Sequence, residues 1–179
     1  MTRSKPYAQG ALDGLCGPYA IVNALMHIGH RGDPADLFQT ACSAVSSRRW
    51  PALLWEGTWF GDLKKMLAAC MREFDAQIDV QVSYPFWRTA PANNNGYWAE
   101  FDEIFDDEDV LCGIVGITRP SDHWLVIARD GGRIVFYDSE PLKPMKRVNR
   151  KSLYAGVRGP KTKKWVIDRR ELVVFRRMD

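Results

Sequence analysis

Hydrophobic residues recur with two different periods along the chain. In its first part they return every three to four residues, which is the spacing of one face of a helix. This spacing predicts helices at residues 18–27, 34–45 and 58–74. Gly29 is expected to end the first helix, Asp33 to open the second and Thr58 to cap the third.

The period shortens after residue 79, where short runs are rich in valine, isoleucine and aromatic residues. Such runs predict β-strands at residues 79–84, 110–117, 123–129, 133–138, 164–167 and 172–175. Between the first two strands, the segment Asn93-Asn94-Asn95-Gly96 is expected to form a turn or a mobile loop. Helices followed by strands, rather than strict alternation, indicate an α+β fold with an antiparallel sheet.

The length of 179 residues suits one domain, spanning residues 1–179, with a hydrophobic core of its own. Hydrophobic residues make up 46% of the chain and charged residues 26%, which excludes a disordered or fibrous protein. The longest apolar stretches, such as residues 110–117, are far shorter than the roughly 20 residues of a membrane helix. We therefore expect no membrane span.

Neither a targeting segment nor a metal site is expected. No apolar run follows the basic residues near the N-terminus, so the expected location is the cytoplasm, or outside the cell by a route that uses no N-terminal signal peptide. The four cysteines and three histidines lack the short spacings of zinc ligands. We expect no metal, no cofactor and, with one exception, reduced and structural thiols.

Charge is distributed unevenly along the chain. Residues 143–179 hold 13 basic and three acidic residues, whereas the preceding part is acidic, with seven acids between Glu100 and Asp109. A basic region of this kind suits an acidic partner, such as nucleic acid, anionic lipid or an acidic protein surface. We favour the simpler interpretation that the two regions neutralise each other or are solvated, because the basic residues alternate with apolar ones as strand flanks do.

Cys16 is the exception among the cysteines, because it directly precedes the first helical run. The N–H groups at a helix start are unpaired and, with the positive end of the helix dipole, stabilise an anion. A cysteine at this position favours the nucleophilic thiolate. Gly14 and Gly17 on either side permit close approach of backbone or substrate. Taken alone, Cys16 is equally well explained as a small buried hydrophobic residue.

A histidine and an aspartate mark two successive strands. His123 opens one strand and Asp138 closes the next. If a two-residue turn at Asp130 and Gly131 joins these strands, His123 lies directly opposite Asp138. Cross-strand partners have Cβ atoms about 5 Å apart, so the carboxylate can hold one imidazole nitrogen. Together with Cys16 they supply the nucleophile, base and orienting group that covalent catalysis needs.

Other polar residues are weaker candidates. Gln9 precedes Cys16 by seven residues, and its amide together with the Cys16 N–H is a candidate pair of donors to an oxyanion. His27 and His30 lie at the end of the first helix, where a structural role is favoured because histidine meets the negative end of the dipole.

Five tryptophans fall in the middle of the chain: Trp50, Trp55, Trp59, Trp87 and Trp98. Several are candidates for rigid apolar contacts in a substrate cleft. For at least three of them a position in the core is favoured. Gly14, Trp59 and Trp124 are the expected substrate contacts.

Four segments follow one another in the order Gln, Cys, His, Asp: Gln9, Cys16-Gly17-Pro18-Tyr19-Ala20, His123-Trp124 and Asp138. In this order the chain resembles the papain-like cysteine peptidase superfamily, in the compact bacterial form of bacteriocin-processing peptidases and secreted effector proteases. The matching segments cover about a quarter of the chain, and the interval from Gln9 to Cys16 is one residue longer than usual in the family. The resemblance implies a papain-like α+β fold, with N-terminal helices packed on a C-terminal antiparallel β-sheet.

The resemblance also implies that Cys16 is the nucleophile and that His123 is the general base and acid. By the same resemblance Asp138 is the orienting carboxylate and Gln9 the oxyanion donor. The favoured function is a cysteine-dependent amide-bond hydrolase, a peptidase or isopeptidase that acts on a peptide or protein. A ubiquitin-like modifier is one candidate substrate, and deamidation, acyl transfer and cell-wall amide hydrolysis use the same groups. The alternative is a non-catalytic papain-like module whose basic C-terminal region binds an acidic partner or nucleic acid, with affinity that falls as salt rises.

Overall fold

The computed structural model describes residues 6–10, 13–74, 79–140 and 145–178. These residues form two compact units. The first contains the described residues up to Asp79 and those of Tyr137–Met145, and the second contains Val80–Phe136 and the described residues from Lys146 onward. None of the helices within these ranges is both long and apolar enough to cross a membrane.

The described part of the first unit contains four α-helices: α1 Cys16–His27, α2 Pro34–Ser43, α3 Ala52–Glu56 and α4 Phe60–Glu73. Helix α1 contacts both α2 and α4, and its residues Ile21, Ala24 and Leu25 are fully buried. As predicted, Gly29 follows α1 in the left-handed region, at φ 104°, where glycine carries no steric penalty. Asp33 caps α2 as predicted, since its side chain accepts the N–H of Ala35.

The helix predicted at residues 58–74 is α4, but Thr58 is not its cap, and the short α3 before it was not predicted. Helix α4 begins at Phe60, and its N-cap residue is Trp59, which makes no side-chain capping bond. Thr58 is instead buried in close contact with Gly17, so that its side chain serves packing. The five residues of α3 were missed because they are too few to show a helical period.

His30 is buried in the first unit, and neither ring nitrogen has a hydrogen-bond partner within the described part of the chain. The ring lies edge-on to Phe74, with ring centres 5.3 Å apart. Burial lowers the pKa of His30 from its usual value, because the charged imidazolium is poorly solvated there. The role of His30 is structural, as predicted, but it rests on burial of the ring and not on the helix dipole.

This burial makes stability depend on pH. The unfolded chain protonates His30 more readily than the folded chain, so stability should fall as the pH drops below about 6.5. In His30→Phe the free energy of unfolding should change less between pH 7.5 and 5.5 than in the wild type, as measured by urea denaturation. His27→Gln serves as the control, and an equal pH dependence in the wild type and His30→Phe would contradict the prediction.

The second unit is built on a seven-stranded sheet. Two residues at strand ends, Tyr137 and Met145, are assigned to the first unit. The strands of the sheet are β1 Val80–Ser83, β2 Val110–Arg119, β3 His123–Asp130, β4 Arg133–Tyr137, β5 Met145–Val148, β6 Leu153–Ala155 and β7 Trp165–Arg177. Their spatial order is β1-β7-β2-β3-β4-β5, and β6 pairs with β7.

Most of the strand pairing follows the antiparallel prediction. The β1–β7, β2–β3 and β2–β7 pairs are antiparallel, whereas the short β6 runs parallel to β7. The two strands predicted at residues 164–167 and 172–175 are one continuous strand, β7. Val115 of β2 pairs with Leu172, but Ile117 pairs with Ile167, so the register of the two strands shifts between these pairs. The alternation of hydrophobic residues in β7 therefore breaks off between Ile167 and Leu172.

Helix α5, Asn94–Phe105, occupies the segment for which a turn or mobile loop was predicted. The side chain of Asn93 accepts the N–H of Gly96 and so caps the helix. The asparagine run is therefore a helix start. The helix is fixed by its aromatic face, which joins the apolar side chains of the sheet in one core that includes Tyr97, Trp98, Phe101, Phe105, Leu125, Ile127 and Phe136.

The turn between β3 and β4 lies one residue later than predicted. Strand β3 ends at Asp130 and β4 begins at Arg133, so Gly131 and Gly132 form the turn. Their φ angles are 56° and 76°, and glycine takes the positive φ that such a turn needs at both central positions without steric cost. The register predicted from a turn at Asp130 and Gly131 is therefore wrong, and with it the reason for expecting His123 directly opposite Asp138.

Ion pairs join the acidic and basic regions within the second unit. Arg176 bonds to Asp107, and Arg177 lies 3.7 Å from Asp109. Partly exposed pairs of this kind contribute about 0–1 kcal/mol each, so they matter more for charge balance than for stability. For these residues the interpretation that the two regions neutralise each other is confirmed.

Candidate active site

Cys16 is the first residue of α1 and is 7% exposed. Its Sγ lies 3.8 Å from the carbonyl oxygen of Gly14. The N-cap residue is Leu15, which offers no side-chain acceptor, although a Ser, Asp or Asn there would stabilise the helix by about 0.5–2 kcal/mol. Within the described part of the chain no side chain caps these first N–H groups, and unpaired N–H groups at a helix start can stabilise an anion.

Two glycines fix the backbone on either side of Cys16. The N–H of Gly14 donates to the carbonyl oxygen of Leu54 over 2.7 Å, and a Cβ on Gly14 would lie only 3.0 Å from that oxygen. A Cβ on Gly17 would lie 2.5 Å from the Cβ of Thr58. The close approach expected at both glycines is made by the protein's own chain, which holds Cys16 in place.

Gly17→Ala is therefore expected to destabilise the protein by about 1–3 kcal/mol, because the new methyl group overlaps Thr58. Gly61 is the matched control, since it lies in α4 with nothing within 4 Å of an added Cβ. Gly61→Ala should be neutral or stabilising by up to about 1 kcal/mol. Urea denaturation of both variants measures the difference, and equal stability of the two variants would contradict the packing described.

Gln9 lies beside Ser139 in the first unit. The Gln9 N–H donates to the carbonyl oxygen of Ser139 over 2.8 Å, and Ser139 Oγ donates to Gln9 Oε1 over 3.2 Å. Gln9 Nε2 donates to the carbonyl oxygen of Asp13, in the loop before Cys16. An amide nitrogen carries two hydrogens, so the second can serve a further acceptor. Ser139 was missed by sequence reasoning, because nothing local marks it as a partner of residue 9.

Asn23 holds the segment that leads to Gln9. Its Oδ1 accepts the N–H of Tyr7 over 2.7 Å, and its Nδ2 donates to the carbonyl oxygen of Tyr7 over 3.2 Å. The side chain is buried in α1, and both of its polar groups are used by the backbone of Tyr7. Asn23 therefore has a structural role.

Asp138 directly follows β4 and is buried. Its Oδ1 accepts the N–H of Glu140 over 3.0 Å. A buried carboxylate is costly unless hydrogen bonds satisfy it, so its orientation is fixed by its partners. Since Ser139 is the next residue, Gln9 and Asp138 belong to adjoining segments of the first unit, joined by the bonds between Gln9 and Ser139.

His123 and Trp124 lie in the second unit. His123 is the first residue of β3, as predicted, and pairs with Ile117 of β2. It is half-buried. Trp124 pairs with Gly116 and is 5% exposed, so little of its ring surface is accessible to a substrate.

Three of the five tryptophans in the middle of the chain are exposed, contrary to the expectation that at least three lie in the core. The exposed fractions are 73%, 60% and 44% for Trp55, Trp59 and Trp87. Only Trp98 is buried, and Trp50 is half-buried. The guanidinium of Arg49 lies 4.0 Å from the ring centre of Trp59 and orients that ring. Exposed indole rings are suited to binding rather than to core packing.

The other three cysteines are structural, as predicted. All four thiols are free. Burial raises the pKa of Cys42 to about 11 and that of Cys70 to about 12, and it also raises the pKa of the fully buried Cys112. These three groups therefore remain neutral thiols at physiological pH. Within the described part of the chain, no three His, Cys, Asp or Glu side chains are grouped to hold a metal ion.

Comparison with known proteins adds information about the fold. No family model and no curated protein matches the sequence. A similar solved structure is the peptidase domain of Streptococcus ComA, described as a bi-functional ABC transporter involved in a quorum-sensing pathway. The TM-score is 0.52 at 13% identity, and the match covers 98% of this chain and 100% of that one. The prediction of a papain-like α+β fold is thereby confirmed.

Proposed function

We propose that this protein is a cysteine peptidase that hydrolyses an amide bond in a peptide or protein through an acyl-enzyme on Cys16. The observation that carries the proposal is the position of Cys16 at the start of a buried helix with no side-chain cap, in a fold similar to a peptidase domain. Unlike the other three cysteines, Cys16 is the first residue of a helix, where the N–H groups of the first turn and the helix dipole can stabilise negative charge.

In the first step, His123 takes the proton of Cys16 and the thiolate attacks the substrate carbonyl carbon. The electron pair of the carbonyl double bond moves to oxygen, which accepts hydrogen bonds from the Cys16 N–H and from Gln9. When this intermediate collapses, the C–N bond breaks, and the amine leaves with the proton held by His123. The acyl group stays on sulfur as a thioester, and Asp138 orients the imidazole throughout.

In the second step, His123 takes a proton from water, and the resulting hydroxide equivalent attacks the thioester. The C–S bond breaks and the carboxylic acid product leaves, while the proton returns to Cys16. No further group is needed for an isopeptide bond, so a ubiquitin-like modifier joined to a lysine is a second substrate class for this chemistry. Gly14 and Trp59 are proposed to contact the substrate near the scissile bond.

Hydrogen bonds at both ends of its side chain support the role of Gln9. Its Oε1 is bonded to Ser139 and its Nε2 to the carbonyl oxygen of Asp13. Donors that are already oriented stabilise an oxyanion without the cost of reorganisation at the moment of reaction. These bonds also fix the position of Gln9 relative to the loop before Cys16, although Gln9 precedes Cys16 by seven residues and the usual interval is six.

The test is covalent trapping with a panel of peptide electrophiles and of ubiquitin-like proteins that carry a C-terminal electrophile. Intact mass should show one label per chain, and peptide mapping should place it on Cys16. Cys42 is the internal control, because it is partly exposed and its raised pKa keeps it neutral. The proposal would be overturned if no member of the panel labelled Cys16, or if Cys42 were labelled to the same extent.

A further inference from the structure

A cavity of about 730 Å³ in the second unit is lined by arginines that the proposed chemistry does not use. It lies among α5, β3, β4 and β5, and its volume is in the range of small-molecule sites. Its charged lining residues are Arg129, Arg133, Arg147, Arg150, Asp102 and Asp106.

Two of the four arginines are already neutralised. Arg129 bonds to both Asp102 and Asp106. Arg147 lies 3.3 Å from Asp130. The other two, Arg133 and Arg150, form no ion pair with any residue that the structure describes. Four arginines therefore face three aspartates around the cavity, Asp130 included, which leaves a net charge of one positive unit.

Arg150 is the more informative of the unpaired arginines. It is half-buried at the start of the short 3-10 helix Arg150–Ser152, with its guanidinium 3.4 Å from the ring centre of Trp98. Burial lowers its pKa to about 10, despite the opposing effect of Asp102. Holding a cation in a partly buried place without an ion pair costs stability, and an anionic ligand would remove that cost.

A second donor nearby also lacks a partner. The Nε of Arg129 is buried and makes no hydrogen bond within the described part of the chain, although the terminal nitrogens of the same side chain bond to aspartates. Buried donors of this kind are uncommon in folded proteins and often mark a missing ligand or ion. The cavity thus combines two unpaired guanidinium charges with an unused N–H donor.

We propose that this cavity binds a small molecule that carries two or more phosphate groups, with Arg133 and Arg150 as its main ligands. The planar guanidinium fork matches two oxygens of a phosphate. Two guanidinium groups without carboxylate partners can each hold a separate oxyanion group, so a ligand with two phosphates engages both, whereas a single carboxylate engages one. Arg147 and Arg150 of this lining belong to the basic C-terminal region, so part of that region contributes to the proposed anion site.

Pyrophosphate is the probe, and its binding is measured by calorimetry and by the thermal midpoint at constant ionic strength. Wild type and Arg158→Gln, an exposed arginine outside the cavity lining, should bind it alike. Arg133→Gln should weaken binding about tenfold or more, because it removes a charge-assisted bond. Arg133 is exposed, so this variant should fold normally.

Arg150→Lys provides a second, independent variant. It keeps the charge beside Trp98 but loses the planar fork, so it should also weaken pyrophosphate binding while circular dichroism stays unchanged. Binding that is unaffected by either substitution, or absent from the wild type, would overturn the proposal. Tighter binding of a glutamate-rich peptide than of pyrophosphate would overturn it in favour of an acidic peptide partner.

Discussion

Replacing Cys16 with alanine should reduce peptide hydrolysis about 10⁴-fold or more. Without the sulfur no acyl-enzyme forms, and only substrate binding and the oxyanion donors remain to act on the bond. The substrate is a peptide built on the electrophile that labels the wild type best, and its products are separated by chromatography. Because Cys16→Ala removes only the sulfur atom and leaves a small cavity, circular dichroism should show that the variant keeps its fold.

Cys42→Ala is the matched control for this experiment. Cys42 belongs to α2, and its raised pKa makes it a poor nucleophile at neutral pH. This variant should cleave the peptide at the wild-type rate. Substantial hydrolysis by Cys16→Ala would contradict the proposed mechanism, and so would an equal loss of activity in Cys42→Ala.

The second large effect is expected for His123→Ala, which should reduce the rate about 10²–10⁴-fold. His123 is proposed to move the proton in both steps, so its loss affects acylation and deacylation together. Added imidazole should restore part of the activity, which a merely structural role would not predict. His30→Phe is the histidine control and should leave the rate unchanged, because His30 is buried beside Phe74. Full activity of His123→Ala would contradict the assignment.

The sequence predicts an element well where local signals agree. Helix α2 has both a hydrophobic face and the Asp33 cap, and its start was predicted correctly. Helix α5 was missed because asparagines and Gly96 favour a turn, whereas the helix is held by Asn93 and by the burial of Tyr97 in a core formed with distant strands. Such tertiary contacts have no counterpart in a local window of sequence.

The turn after β3 shows a different limit. Asp130-Gly131 and Gly131-Gly132 are both acceptable two-residue turns by composition. The choice depends on which residues take positive φ, and this is set by the pairing of the whole hairpin. A one-residue error in the turn was enough to remove the register argument for Asp138, even though both strands were predicted correctly.

For the candidate site, the local parts could be predicted and the long-range ones could not. The position of Cys16 at a helix start follows from a few neighbouring residues. The bonds between Gln9 and Ser139 join residues 130 positions apart in the chain, and no spacing rule anticipates them. Exposure of Trp55 and Trp59 was equally hidden, because indole rings are common both in cores and in binding surfaces.

The most direct measurement is the rate of Cys16 alkylation by iodoacetamide between pH 5.5 and 9, in the wild type and in His123→Ala. We expect the wild type to react at pH 6 within about tenfold of its rate at pH 8, because His123 holds the proton as an ion pair with the thiolate. The variant should react much more slowly at pH 6. If instead both proteins lose reactivity about tenfold per pH unit below pH 8, as an ordinary thiol does, Cys16 and His123 do not work as a pair.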